Sequence, residues 1–493
     1  MTVARSRRIG RRHPWAVTSL LFCMGLAMVG GSVTAAPSTA VGHYRAAALA
    51  DPRPNILLIL TDDQTRDDLA VMDRVRNQIG GQGTTFTRGF AQQPLCCPAR
   101  ASILTGQYAH NNAVMSLHGF GDFQDRFAEN NLAVWLQDAG YNTAHLGKYL
   151  NGYPGGRGLR FVPPGWTDWQ VPVRNVYSYR NYTMNENGRV ATNNGYQTTY
   201  VQEHGVSLVG KYAPSDKPFF MWLNFLAPHW GGPTEPDDPT VDNTRGLKTP
   251  NVGDVFRDAM SSTPLPDKPS FLEKDMSDKP ALPGTNRKPV EMYRELFQQR
   301  REALLAVDVA VGRILTALEM SGEADQTIVI FSSDNGYLVG EHRKIGKIVG
   351  YEESVGVPML VRGPGFAADV RRDQLVSLTD LTSTITRATG VTPGLQQDGE
   401  PMQPRSNDAA AGADRSIPLE AGPRPSNRLY TGIRTPDDRV LLRWRGGATE
   451  FYNLLEDPFQ LDGRISEGEA AAERNALARR LDELEDCAGA GCS

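Results

Sequence analysis

Acidic residues follow two runs of apolar residues. Asn55-Ile-Leu-Leu-Ile-Leu60 ends in Thr61-Asp62-Asp63, and Gln326-Thr-Ile-Val-Ile-Phe331 ends in Ser332-Ser333-Asp334-Asn335-Gly336. A third run, Lys217 to Leu226, ends in Ala227-Pro228-His229. Groups just past the carboxyl ends of parallel strands converge in one crevice, so Asp62, Asp63, Asp334, Asn335 and His229 are expected to be neighbours. Carboxylates that close together repel unless a cation sits among them, and hard oxygen donors select Ca²⁺ or Mg²⁺ over zinc. One acidic pair alone is as readily a helix cap or a solvated turn. Two strand-plus-acid junctions in one chain favour a metal.

The segment Pro94-Leu-Cys96-Cys97-Pro98-Ala99-Arg100, running on to Leu104-Thr105-Gly106, carries adjacent cysteines. Nothing nearby supplies the other ligands of a zinc clamp, and buried structural cysteines are common, so the pair in isolation says little. In context, the segment resembles the modification motif of the formylglycine-dependent (type I) sulfatases of the alkaline phosphatase-like superfamily. That motif is Cys, any residue, Pro, Ser or Ala, Arg, then Leu-Thr-Gly four residues on. Cys96, Pro98, Ala99, Arg100 and Leu104-Thr105-Gly106 match it. The likeness runs from about Pro54 to Gly365 and returns at Glu450-Phe-Tyr-Asn-Leu-Leu-Glu-Asp-Pro458. Leu146-Gly147-Lys148-Tyr149-Leu150-Asn151 and Ala227-Pro228-His229 are most similar to the N-acetylglucosamine-6-sulfatase and arylsulfatase branch.

The resemblance implies that a formylglycine-generating enzyme oxidises Cys96 to 3-oxoalanine (formylglycine), since only Cys96 has Pro two and Arg four residues later. One oxygen of the hydrated aldehyde would attack the sulfur of a sulfate ester, and the second would expel sulfate. It implies that Asp62, Asp63, Asp334, Asn335 and the modified Cys96 hold the cation, Ca²⁺ with Mg²⁺ as the alternative. Asp334 would also take a proton from the attacking hydroxyl, and Arg100 would support the modified residue. Lys148 and Lys347 would grip sulfate oxygens, and His229 would contact the sulfate and protonate the leaving alcohol. Taken singly, the lysines could be solvated and His229 a strand-end cap; their motif positions set them apart, with Lys344 the rival to Lys347. Many relatives carry His two residues after the Lys of Gly-Lys, where this chain has Leu150 followed by Asn151. The implied substrate is a sulfated sugar of the glucosamine-6-sulfate type found in glycosaminoglycans, or an aryl sulfate. A phosphonate or phosphate ester hydrolase of the same superfamily and an inactive glycan-binding homologue are the alternatives.

The elements that must position these residues read as an α/β fold. Gly356 to Val361 forms a fourth apolar run, and helical patterns lie between the runs, notably Asn131 to Ala139 and Glu291 to Met320. Such alternation predicts a large, mainly parallel sheet sandwiched by helices. From Gly231 to Pro289 the chain carries ten prolines in 59 residues, which is either a surface excursion or a lid. Beyond about Leu395 a small C-terminal α+β subdomain is expected, with strands near Arg428 to Ile433 and Arg439 to Trp444 and a helix near Ala470 to Leu484. Cys487 and Cys492 are placed to close a small disulfide.

The first residues differ from the rest. Arg5, Arg7, Arg8, Arg11 and Arg12 precede an apolar run from Trp15 to Val29 and the small residues Val33-Thr34-Ala35. This predicts a signal peptide at 1–35 for Sec or twin-arginine export, followed by a flexible linker at 36–53, a catalytic domain at 54–395 and the subdomain at 396–493. The apolar run is shorter than the roughly 20 residues a spanning helix needs, so no stable membrane insertion is expected after cleavage. Without the five arginines the chain keeps 47 basic against 56 acidic residues, a net of −9. That balance argues against nucleic acid as a partner and fits a secreted, extracellular protein.

Overall fold

Every position of the first apolar run is buried because its strand has core on both faces. In β1 (Asn55–Asp62), Ile56, Leu58 and Leu60 enter one hydrophobic cluster and Leu57 and Ile59 another, as the two-residue period of a strand requires. The computed structural model describes residues 51–239, 248–280, 288–463 and 469–492. The leader expected at 1–35 and nearly all of the linker at 36–53 lie outside these residues.

Strands β2 (Thr84–Phe90), β3 (Asn142–Gly147), β4 (Asp168–Arg174), β5 (Tyr182–Glu186), β6 (Arg189–Asn193), β7 (Phe219–Pro228) and β8 (Thr327–Ser333) follow β1. Then come a hairpin of two-residue strands, β9 (Leu338–Val339) and β10 (Ile345–Gly346), and the strands β11 (Gly356–Arg362) and β12 (Val370–Ser377). The main sheet has the order β12-β2-β11-β8-β1-β7-β3-β4-β5-β6. Its centre, from β8 through β1, β7 and β3 to β4, is parallel. β11 runs antiparallel to β8 and β2, and β5 and β6 finish the far edge antiparallel. Helices Cys96–Thr105, Phe120–Phe127, Leu132–Asp138 and Asp380–Thr389 feed the cluster that holds Ile56, and Gln197–Tyr212 and Val290–Met320 feed the other. The helix expected from Asn131 starts one residue later because Asn131 is its cap, accepting from the Ala133 N–H at 3.1 Å.

A four-stranded antiparallel sheet, β13 (Ile417–Ala421), β14 (Tyr430–Arg434), β15 (Arg439–Trp444) and β16 (Thr449–Asn453), forms the C-terminal layer with the helix Glu469–Leu484. The disulfide Cys487–Cys492 is present. This layer braces the chain just beyond Lys347. Leu442 and Tyr452 share a core with Val349 and Tyr351, Arg434 Nε donates to Glu352 Oε1 at 3.0 Å, and the Tyr351 hydroxyl donates to Glu450 Oε2 at 3.1 Å. The Pro-rich stretch, described at 231–239 and 248–280, holds no helix or paired strand there, yet Thr249, Asn251, Ser270, Glu273 and Lys279 are buried. It packs on the body instead of wandering in solvent. Among the described residues no helix is long and apolar enough to cross a membrane.

Gly147 ends β3 with φ +92, and a Cβ there would lie 1.9 Å from the Asn224 carbonyl oxygen of β7. Gly147→Ala is therefore expected to destabilise by about 2 kcal/mol or more, since neither the backbone region nor the space admits a methyl. Chemical unfolding checks it; an unchanged midpoint would show that β3 and β7 can separate without loss.

Candidate active site

Four adjacent parallel strands end at one rim of the sheet. Across it, β8 leads into Asp334 and Asn335, β1 into Asp62 and Asp63, β7 into His229, and β3 into Lys148. Neighbouring strands lie about 4.8 Å apart, so the side chains are delivered within reach of one another. Asp63 leaves the strand at φ +70, unusual for a residue with a Cβ. Its N–H donates to Asp334 Oδ1 at 3.2 Å, and the buried Arg300 guanidinium donates to its carbonyl.

The helix Cys96–Thr105 brings the fifth contribution. Leu95 before it is extended, Cys96 is its first residue, and Pro98 sits in the first turn, where a missing N–H leaves no bond unmade. The four-residue spacing puts Cys96 and Arg100 on one face. Cys96 Sγ lies 3.3 Å from Asp62 Oδ1, 3.9 Å from Asp63 Oδ1 and 2.8 Å from Lys347 Nζ. Cys97 turns away, its Sγ 3.8 Å from the Asn151 carbonyl. Lys347, just past β10, pairs with Asp63 and lies 3.4 Å from Asn335 Oδ1.

Charge is balanced pair by pair. Lys148 pairs with Asp62, Lys347 with Asp63, and Arg100 Nε donates to Asp334 Oδ2 at 2.8 Å. Arg100 Nη1 also donates to Asn224 Oδ1 at 2.8 Å and to the Lys148 carbonyl at 2.7 Å. Burial works against both lysine ammoniums, but the carboxylates Asp62 and Asp63 outweigh it and raise their pKa values, so both stay protonated. The same ion pairs hold Asp62 and Asp63 below the ordinary carboxylate range despite burial. Burial and then the Asp62 charge push the Cys96 thiol far above its usual value. An unmodified Cys96 is thus a neutral thiol and a poor nucleophile. Burial lowers His229, outweighing Asp63 and Asp62. Its Nδ1 lies 2.7 Å from the Trp230 carbonyl, which makes Nδ1–H the donor, and its Nε2 lies 3.7 Å from Asp63 Oδ2.

The donor set fits a hard divalent cation. Ligand atoms of Asp62, Asp63, Cys96 and His229 all lie within 4.8 Å of one another, and Asp63 Oδ2 is buried with no hydrogen-bond partner. Of the five residues expected to hold the ion, Asp62, Asp63 and Cys96 converge directly. Asn335 donates its amide to Asp63 Oδ1 at 2.6 Å, and both oxygens of Asp334 are engaged, one by the Asp63 N–H and the other by Arg100.

Three residues of the site carried no weight in the sequence reading. Asn224 interrupts the apolar run of β7, and a polar side chain in a doubly buried strand needs a partner. That signal was available, and the partners are Arg100 and His145. Arg300 lies in the helix Val290–Met320 and reaches the Pro228 carbonyl at 3.3 Å. Tyr177 stacks on His229 from a loop with no periodicity to mark it. Among the other histidines, His145 contacts Asn224, His110 pairs with Glu420 and His342 with Glu273.

The sulfatase family model matches residues 54–391. The N-acetylglucosamine-6-sulfatase of Homo sapiens is 32% identical over 495 residues, 89% of this chain and 86% of that protein. The extracellular sulfatase SULF-1 homolog of Drosophila melanogaster is 33% identical over 368 residues, 71% of this chain but 31% of that protein, so the chain spans under a third of this relative's length. A solved structure in complex with its substrate D-glucosamine-2-N,6-O-disulfate has the same fold, with a TM-score of 0.69 at 21% identity over 87% of this chain and 97% of that one.

Arg100 is the buried hub of the site, 1% exposed. Arg100→Met would leave the Asp334 carboxylate buried without its cation, an expected cost of about 3–5 kcal/mol. Arg100→Lys is expected to rescue little, because one ammonium cannot reach all three acceptors. Thermal unfolding of both variants checks this, and a stable lysine variant would show that charge alone suffices.

Proposed function

The chain belongs to the sulfatase family, and from that membership we propose that it is an exported sulfuric ester hydrolase acting on sulfated sugars of the glucosamine-6-sulfate type. The observation that carries the reading is the convergence of Cys96, in its modification motif, with Asp62, Asp63, Lys148, Lys347 and His229 around one buried point. The sugar preference is supported by the likeness to N-acetylglucosamine-6-sulfatase and by the Gly-Lys-Tyr-Leu-Asn segment at 147–151. Export is supported by the arginine-plus-apolar leader and by relatives named extracellular.

Cys96 serves as formylglycine in this reading. At 1% exposure it is closed to a modifying enzyme in the folded chain, so a formylglycine-generating enzyme acts before folding is complete. The hydrated aldehyde supplies the nucleophilic oxygen. Asp62, Asp63, Asp334, Asn335 and the modified Cys96 would hold a Ca²⁺ ion, which would supply Lewis acidity to the reaction. Lys148 and Lys347, both protonated, take the sulfate oxygens as negative charge shifts during S–O cleavage. His229 faces the ester through Nε2. An anionic sulfate beside it favours the imidazolium, from which the leaving alcohol draws its proton. Arg100 holds Asp334 and the Lys148 carbonyl in place.

The test is protein secreted from a host that makes formylglycine. Mass spectrometry of the tryptic peptide Gly89 to Arg100 should find the aldehyde at Cys96, with free sulfate released from glucosamine 6-sulfate and aryl sulfates faster than phosphate from matched esters. Cys96→Ala should reduce release to background. Thiols at both cysteines, or a preference for phosphate esters, would overturn the reading in favour of the alternatives.

Calcium added to chelator-treated protein at 100 times its dissociation constant should stabilise the fold by about 2.7 kcal/mol, and Asp63→Asn should remove most of that gain. Thermal unfolding with Ca²⁺ or Mg²⁺ decides between the ions, and no shift with either would count against the metal.

A further inference from the structure

The loop between β4 and β5 brings Tyr177 into the site, and its backbone is clamped to the chain just past His229. The Gly232 N–H donates to the Tyr177 carbonyl at 3.1 Å, the Tyr179 N–H donates to the Gly232 carbonyl at 2.7 Å, and the Tyr179 hydroxyl donates to the His229 carbonyl at 2.7 Å. The approach is so close that a Cβ on Gly231 would lie 2.2 Å from the Tyr177 carbonyl oxygen. The Tyr177 ring is thus held against two residues assigned to the ester. It stacks on His229 with centroids 4.6 Å apart and planes 20° off parallel, and Lys148 Nζ lies 4.9 Å from its centroid.

The hydroxyl of this ring is oriented but not used up. It accepts a hydrogen bond from Asn151 Nδ2, its one hydrogen bond among the described residues, so the phenolic proton is left without a protein acceptor there. Asn151 is 8% exposed, and its Oδ1 is buried without a partner. A buried acceptor without a donor calls for an explanation, and the half-buried Tyr177 has a phenolic proton to give. A sugar sulfate beside His229 supplies the explanation, with an ester oxygen to accept from the phenol and a hydroxyl to donate to Asn151 Oδ1. The sulfate oxygens already face Lys148 and Lys347, and His229 is the group on the leaving side.

Resting on the sulfatase reading above, we propose that Tyr177, oriented by Asn151, donates a hydrogen bond to the leaving oxygen of the ester. As the S–O bond breaks, its electron pair moves onto that oxygen. The phenol stabilises the growing charge and keeps its own proton, while His229 gives up the proton that completes the alcohol. Asn151 thereby gains a role as the residue that aims the phenol.

Tyr177→Phe keeps the ring and its stacking but removes the hydroxyl, so it separates this role from a structural one. The measurement is kcat/KM over aryl sulfates running from 4-nitrophenyl to unsubstituted phenyl sulfate, together with glucosamine 6-sulfate. A good leaving group needs little help and a poor one needs much, so the loss is expected to rise from a few-fold on 4-nitrophenyl sulfate to about 10²-fold on the poorest leaving group. Asn151→Ala should show the same trend, more weakly. An equal loss on every ester means that Tyr177 only supports the fold, and no loss means that it does nothing; either overturns the inference while leaving the sulfatase reading intact. Wild-type protein that releases no sulfate from any of these esters overturns both.

Discussion

Burying three carboxylates in a dry site is the constraint on which the rest of the structure depends. Each such charge costs several kcal/mol to desolvate unless a partner stands beside it. Asp62, Asp63 and Asp334 receive one cation each, from Lys148, Lys347 and Arg100. With its six charges cancelled the site is neutral as it stands. A divalent cation would therefore leave it at plus two, which matches one negative charge on a sulfate monoester and one on an ionised nucleophilic oxygen. Lys347 is the least buried of the three cations, its side chain 11% exposed. In the proposed reading it is the partner best able to exchange Asp63 for a sulfate oxygen without leaving the site.

Precision in that arrangement comes from rigid elements, each secured by different physics. The carboxylates and Lys148 stand at the ends of strands whose register is fixed by core on both faces. Cys96 and Arg100 stand one turn apart on a wholly buried helix. Lys347 has only the short β9–β10 hairpin under it, and here the C-terminal layer matters. By packing Leu442 and Tyr452 on Val349 and Tyr351, in one cluster with Phe90 of β2 and Leu375 of β12, that layer helps hold the segment. A C-terminal sheet remote from the nucleophile thus supports one of its contacts.

How much of this was legible in the sequence follows from where each signal lives. Doubly buried strands announce themselves as apolar runs, so β1, β7, β8 and β11 and the acids and histidine after them could be read. The motif spacing around Cys96 fixed which thiol faces the acids. The strands toward the far edge, β5 and β6, lack that pattern, because Tyr182, Met184 and Asn185 are buried while Arg189 and Thr192 face solvent. The partition of duties among the acids was also illegible. Asp334 and Asn335 are adjacent and follow the same strand, yet one is taken up by Arg100 and the other by Asp63. Tyr177 depends on a loop clamped by backbone bonds to Gly232, which no local residue pattern encodes.

The state of the nucleophile ties the chemistry to the order of folding. A thiol at the centre of these charges is held protonated by burial and by Asp62, so in the folded chain it is neither reactive nor accessible. The surroundings that suppress a thiolate nevertheless suit an oxygen nucleophile, since hard carboxylate ligands and two ammonium groups favour an oxyanion over a soft sulfur. These surroundings fit the proposed conversion of Cys96 to formylglycine. In the proposed reading conversion of Cys96 comes first, and closure of the sheet around it then fixes the result.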